Sequence, residues 1–427
     1  MRNSGPFGSE EEGARPYGTA MKQNAIIAGV GITPFGKHLD RSLANLAHEA
    51  IDQAIADAGL PLDRIEAAWA GTAGAGIVTG QVCVAGQAVL RQRGLGRIPV
   101  INVENACATA STAFQQACTM VTLGVYDVVL AFGMEKLYHA DKERPMAVYA
   151  GCVDVEQPEQ LDHFLSGDLS AEALAAAPRD RRSLFMDIYA RMARDYMAAS
   201  GATQRDFAQV SAKNSKHGSL NPNAQFREVL TVEEVLAARL ISPPLTLPMC
   251  SPIGDGAAAA VIVSPRVARE LALATPVRVL SSLVASGFDV VDGAPGVTTT
   301  VSRQAYEEAG IAPGDIDCVE LHDATSPAEL IYYEALGLCP AGEGPAFLAS
   351  GATALGGRVP VNSSGGLVRK GHPIGATGLG QIHELVQQLR GRAGPRQIDH
   401  ARLALAENGG GFIGTDAAAI AMTVLAR

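Results

Sequence analysis

Four stretches of the chain carry residue types that do chemistry. In VENACATASTAF, Val103 to Phe114, Cys107 stands between a short strand pattern and a helix whose first turn is made of small residues. A thiol there meets unpaired backbone N–H groups and the positive end of the helix dipole, which lower a thiol's pKa. The same N–H groups could hold an oxyanion. The competing reading is a buried structural cysteine. In VNSSGGLVRKGHPIGATGLGQIHEL, Val361 to Leu385, His372 precedes Pro373 just ahead of a helix, in a run of glycines where backbone can approach a ligand closely. Proline stiffens that turn. An imidazole near a helix N-terminus tends to stay neutral, which suits a base. In VELHDATSPAEL, Val319 to Leu330, His322 and Asp323 fall where a strand stops and a helix starts, the place where open α/β folds put their chemistry. Asp323 could equally be the partner that satisfies His322. Tyr332 and Tyr333 follow on the predicted helix. In LAENGGGFIGTDAAAIAM, Leu405 to Met422, three glycines after Glu407-Asn408 could aim an N–H at a substrate oxygen, or mark a bulge.

The elements that must position these residues alternate. Strand patterns at 25–30, 65–70, 100–103, 127–132, 257–263 and 277–285 are separated by helical periodicity at 43–58, 81–91, 108–123 and 301–309. That order implies a mainly parallel sheet flanked by helices. The segment from about 135 to 241 has charged helices and few strand runs, so it reads as an insertion. AGLPLDRIEAAW from Ala58 and AGIAPGDIDCVE from Ala309 align without a gap at an offset of 309 − 58 = 251, which points to a duplicated α/β unit.

Composition narrows the function. The 427 residues are 47% apolar and carry a net charge of −10, against a nucleic-acid groove or an anionic membrane surface. A local basic patch for a nucleotide-bearing ligand remains compatible with that charge. The seven cysteines are scattered without CxxC, so neither a disulfide framework nor a zinc site is expected, and a reducing cytoplasm is. No apolar run reaches the length of a membrane span. Residues 1–22 read as a flexible tail, with Met21 an alternative start to Met1.

Taken in order, NACATAS, GMEK at 133–136, SPIGDGAAAA at 251–260, HDATSPAEL, NSSGGLVRKGHPIGATG and ENGGGFIG resemble the thiolase superfamily, most closely the sterol-carrier-protein type and its bacterial relatives. The resemblance runs from about Asn24 to Arg427. It implies two duplicated βαβαβαββ halves in five layers, α-β-α-β-α, with an inserted loop domain. The halves would span 23–134 plus 247–270 and 271–427, with the insertion at 135–246. It implies coenzyme A thioesters as substrates, coenzyme A itself as substrate or product, no covalently bound cofactor, no metal, and a homodimer or dimer of dimers. Carried over residue by residue, Cys107 matches the acylated nucleophile and His372 the base that activates it. His322 matches the histidine that holds the thioester oxygen. The N–H groups of Cys107 and of Gly409 or Gly410 match a second oxyanion hole. Ser251, Gly375 and Asn362 are the expected contacts to substrate and coenzyme A.

The sequence departs from the family at one point. Thiolases carry a second cysteine as acid/base, either after the HD pair or in a C-terminal CxG triplet. Here Ala324 and Glu407 occupy those places. Carbon–carbon cleavage still needs a proton donor and acceptor, for which Glu407, Tyr332, Tyr333, His322 or a water are the candidates. The resulting expectation is a cytoplasmic, degradative acyl-CoA thiolase that cleaves a bulky, aromatic, branched or steroid-derived 3-oxoacyl-CoA through an acyl-Cys107 intermediate. The alternative is a thiolase-fold retro-aldolase acting on a β-hydroxyacyl-CoA with a small zinc-ribbon/OB-fold partner. A ketosynthase-like condensing enzyme and a non-catalytic acyl-CoA-binding subunit are further readings.

Overall fold

The computed structural model describes residues 22–165, 183–290 and 294–427. The expected tail, apart from Lys22, and the choice between Met1 and Met21 lie outside the described residues. The first half runs β1 (Ile26–Ile32), α1 (Leu43–Ala58), β2 (Ala67–Gly71), α2 (Ala85–Gln92), β3 (Val100–Val103), α3 (Thr109–Thr122), β4 (Val128–Glu135) and β5 (Gly256–Val263). The second runs β6 (Val277–Ala285), α4 (Val297–Ala309), β7 (Cys318–Glu320), α5 (Ser326–Ala335), α6 (Thr377–Leu389), β8 (Leu403–Ile413) and β9 (Asp416–Ala426). Helices Glu143–Ala150, Leu184–Ser200 and Gln204–Ser219 lie between β4 and β5.

Local sequence explains the framework. In α1 the buried residues Leu43, Leu46, Ala47, Ala50, Ile51, Ala54 and Ala58 repeat at helical spacing. Ser42 caps its start, and Gly59 closes it at φ 67°. Gly29 and Gly31 let that helix lie directly on β1: a Cβ at either position would sit 2.2 or 2.1 Å from the carbonyl oxygen of Ala54 or Ala50. β5, GAAAAVIV, is buried along its whole length, as a strand covered on both faces must be.

The nine strands lie in the order β3-β2-β4-β5-β1-β6-β9-β8-β7. The strands of the two halves are joined at β1 and β6, through the ladder pairs Ile26–Arg278 and Ile27–Val277. Beyond β7, Val361 makes a single parallel bridge to Val319, so the third strand of the second half is reduced to one contact. Both halves then share one strand order, which the duplicated sequence had suggested. α1 and α2 cover the outer face of the first half, packing Leu46, Ile51 and Leu90 on Leu130 and Val261. α3 and α6 fill the middle, with Phe114, Ala117, Leu385 and Leu389 against Trp69, Val129, Ala404 and Leu425. α4 and α5 close the second half with Val301, Ala305 and Leu330 on Val319, Leu405 and Val424. The five α-β-α-β-α layers follow.

Two helices differ from their expected limits. α2 starts at Ala85 rather than Gln81, because Val84 is exposed and takes a left-handed φ of 53°. α4 starts four residues before Val301, because Asp416 accepts the Val297 N–H at 2.8 Å and caps its first turn from a distant strand.

Candidate active site

Cys107 leaves β3 on a tight turn. Asn105 donates its N–H to Thr109 Oγ1 at 2.8 Å and its Nδ2 to Thr112 Oγ1 at 3.0 Å, which folds the chain back onto α3. Ala106 takes a φ of 47°, a conformation that costs an alanine about 1–2 kcal/mol. The turn sets Cys107 in a short 3-10 segment leading into α3.

His372 meets it from the other half. Its Nε2 lies 3.2 Å from Cys107 Sγ, and its Nδ1 lies 2.7 Å from Thr377 Oγ1. Thr377 Oγ1 donates to Pro373 O at 3.1 Å, so it must accept from Nδ1–H. That leaves the Nε2 lone pair facing the thiol, the arrangement a base needs. The loop is fixed from below by Glu135, which accepts N–H bonds from Ala73, Gly74 and Gly375 at 2.9–3.0 Å.

His322 completes the cluster. One ring nitrogen of His322, one of His372 and the sulfur of Cys107 lie within 4.8 Å of one another, and the two imidazole centroids are 5.1 Å apart. Asp323 does not satisfy it. That carboxylate turns away to accept Leu367 N–H at 2.6 Å and Asn214 Nδ2 at 2.9 Å. Both ring nitrogens of His322 are buried without a partner in the structure, free for a substrate oxygen. Its own backbone N–H goes to Glu407 Oε2 at 2.8 Å.

Burial sets the charges. The expected low pKa of Cys107 is not found: burial pushes the thiol well up, Cys152 and Glu135 add to this, and the N–H groups of Gly411 and of Cys107 itself only partly oppose it. His372 is held well below the usual imidazole range by burial, then by His322 and Lys370. Burial brings His322 down to about 4. The resting pair is therefore a thiol beside a neutral imidazole, whose free Nε2 lone pair is placed to accept the thiol proton. Burial raises the Glu407 carboxyl to about 8 against the pull of the His322 N–H.

The glycine run also differs from expectation. Gly409 and Gly410 are ladder residues paired with Ile420 and Ala419. The amide that reaches the Cys107 sulfur belongs to Gly411, at φ 65°. The signal was present as the third glycine of the run, the one residue there whose backbone only glycine adopts easily.

The family model described as Thiolase, N-terminal domain matches residues 25–236, and that described as Thiolase C-terminal domain-like matches 292–423. The benzoylsuccinyl-CoA thiolase subunit BbsB of Thauera aromatica is 35% identical over 389 residues, 89% of this chain and 92% of that one. The chain belongs to the thiolase family. Sterol carrier protein 2 of Bos taurus is 36% identical over 406 residues, 91% of this thiolase and 70% of that protein. Among solved structures, the Ltp2-ChsH2(DUF35) aldolase superposes with a TM-score of 0.74 at 28% identity, covering 96% of this chain and 99% of that one. The fold is the thiolase fold, and the protein is an acyltransferase of thiolase type.

Two cavities of this thiolase meet at Cys107 and His322. The larger, about 1330 Å³, is also lined by His372, Ser251 and Ala324, and exposed Lys37, Lys142, Arg144 and Arg239 stand at its rim. The smaller, about 490 Å³, is lined by Phe164, Ile188, Tyr196, Ile331, Tyr332 and Phe412, with Gly409, Gly410 and Gly411 at its floor. Tyr189 and Phe185, which sequence reasoning passed over, line both. Two expected ligand contacts face neither. Gly375 is buried against Glu135, where a Cβ would sit 2.7 Å from Oε2. Asn362 is buried and bonds Leu321 N–H at 2.9 Å and Glu329 Oε2 at 2.8 Å, so it braces the His322 loop. Tyr333 likewise turns away to Glu329. Among the described residues no helix is long and apolar enough to cross a membrane.

Proposed function

We propose that the chain cleaves a 3-oxoacyl-CoA whose acyl group is bulky and aromatic or alicyclic, in a degradative direction. The observation that carries this reading is the junction of two cavities at one thiol. Coenzyme A enters the larger cavity, its phosphates meeting the basic rim and its pantetheine passing Ser251. The acyl group lies in the smaller, aromatic-walled cavity. Cys107 passes its proton to His372 and attacks the 3-oxo carbon. The N–H groups of Gly411 and Cys107 hold the oxygen on that carbon, and His322 holds the thioester oxygen. The Cα–Cβ bond breaks, its electron pair leaves as the enolate of the short acyl-CoA, and the acyl group stays on Cys107. Coenzyme A then removes it. The test is intact mass after incubation with benzoyl-CoA and acetyl-CoA, beside Cys107→Ala. An acyl mass gain that the variant lacks supports the reading; no gain removes it.

A second reading is retro-aldol cleavage of a β-hydroxyacyl-CoA with a partner subunit, favoured by the likeness to an aldolase complex. Aldol cleavage needs no acyl-cysteine, so the intact Cys107–His372 pair weighs against it. Hydroxyacyl-CoA cleavage retained by Cys107→Ala would favour it.

A further inference from the structure

Glu407 is a buried carboxyl with one oxygen bound and one idle. Oε2 accepts the His322 N–H at 2.8 Å, while Oε1 has no partner. His322 Nδ1 is also buried and unpartnered. Between them stands Gly409. A Cβ at that residue would lie 3.8 Å from Glu407 Oε1, 3.8 Å from His322 Nδ1 and 3.9 Å from Ile420 Cδ1. Two buried polar atoms thus flank one small space, and His322 and Gly409 also line the smaller cavity. A water placed there would satisfy both atoms and touch the substrate side.

We propose that Glu407 is the proton reservoir for the carbon–carbon bond step, exchanging its proton with the substrate carbon through a water seated above Gly409 and held by His322 Nδ1. This rests on the acyl-transfer reading above. In the first half-reaction the enolate carbon takes a proton from that water, which takes one from Glu407. The short acyl-CoA leaves, with acyl-Cys107, imidazolium His372 and carboxylate Glu407 behind. In the second, the coenzyme A thiol returns a proton to Glu407 through the same water, its thiolate attacks the acyl carbon, and Cys107 leaves as thiolate and recovers its proton from His372. A carboxyl at about 8 is protonated when the enolate forms and deprotonated easily afterwards. Among the described residues no cation opposes this. His322 faces it from the loop after β7, Tyr332 from α5 and Tyr189 from helix Leu184–Ser200. Gln381 of α6 bonds only its carbonyl, at 2.9 Å.

The test is deuterium uptake into the methyl group of acetyl-CoA in D₂O, read by mass, beside iodoacetamide labelling of Cys107. Glu407→Gln keeps an oxygen for the His322 N–H but holds no exchangeable acid. It is expected to lose deuterium uptake by about 10²-fold or more, with Cys107 labelling and KM within a few-fold of wild type. Gly409→Ala fills the water's space at ordinary contact distances and is expected to lose uptake while leaving Glu407 intact. Glu407→Cys is expected to regain part of the rate with a shifted pH profile. Uptake unchanged in Glu407→Gln, or in Gly409→Ala, would overturn the relay. If wild-type Cys107 takes no acyl group at all, the acyl-transfer reading fails instead. Should Glu407→Gln not fold, Gly409→Ala and the wild-type uptake profile, which must bend near pH 8, decide the matter.

Discussion

Glu320 and Lys370, each two residues ahead of one of the site histidines, form a buried ion pair of 3.0 Å. The pair locks the end of β7 to the loop that carries His372. Glu320 also accepts Ser364 N–H at 3.0 Å, so the carboxylate is well supplied with donors. Removing one partner of such a pair leaves an uncompensated buried charge, which costs about 3–5 kcal/mol. Lys370→Met should lower the unfolding free energy by that amount in urea. The double variant Lys370→Met/Glu320→Gln should recover part of the loss. A double variant that loses the sum of the losses of Lys370→Met and Glu320→Gln would mean the pair is not coupled.

Cys107 rests as a thiol, because burial holds its pKa above the ordinary 9.0 and holds His372 neutral. Iodoacetamide labelling of the free protein should therefore be slow at neutral pH and still rising at pH 9. A plateau near neutrality would indicate a preformed ion pair. Cys107→Ala should abolish acyl transfer while leaving the fold intact.

Glu407 makes stability depend on pH with a definite sign. An exposed carboxyl titrates at 4.5, and the folded one at about 8. Between these values the folded state holds a proton that the unfolded state has released. Stability from this group is complete below 4.5 and is lost as pH rises through 8, at up to about 1.4 kcal/mol per pH unit. Glu407→Gln removes that loss. Its unfolding free energy should gain steadily on wild type as pH rises through this window; parallel curves would show that the carboxyl does not titrate there.

The smaller cavity should set acyl preference. Ile331 lines it from α5 and is only half-buried, so a larger side chain can be accommodated. Ile331→Trp should fill part of its 490 Å³ and lower kcat/KM for benzoyl-CoA acyl transfer by about tenfold or more, with acetyl-CoA within about threefold. Equal losses for both substrates would place the acyl group elsewhere.

What the sequence made legible was local. α1 was readable to its last residue because its cap, its periodicity and Gly59 all lie within it. Cys107 and His322 were readable because each sits between a strand and a helix, and His372 because its Gly-His-Pro turn stands just ahead of a helix. The chemistry of those corners was less so, since burial is a property of the whole fold. It reversed the expected shift of Cys107 and turned a glycine presumed to meet ligand, Gly375, toward Glu135. The first turn of α4 was hidden for the same reason: its cap comes from Asp416, in the final strand. The ladder beyond β7 ends early because Asn362, just after Val361, takes a left-handed φ of 56°.

The common strand order of the two halves makes the site a pseudosymmetric one. Cys107 follows the third strand of the first half, and His372 follows the one-bridge remnant of the third strand in the second. The proposed nucleophile and its proposed base thus come from matching stretches of the two halves, each between a third strand and the long helix that follows it. The fourth strands repeat the theme: Glu135 at the end of β4 holds amides beyond β2, and Glu407 on β8 holds the amide of His322 beyond β7. Neither half contains a reactive pair by itself, so a split of the chain between β5 and β6 would yield two inert fragments whose activity reappears only on reassociation.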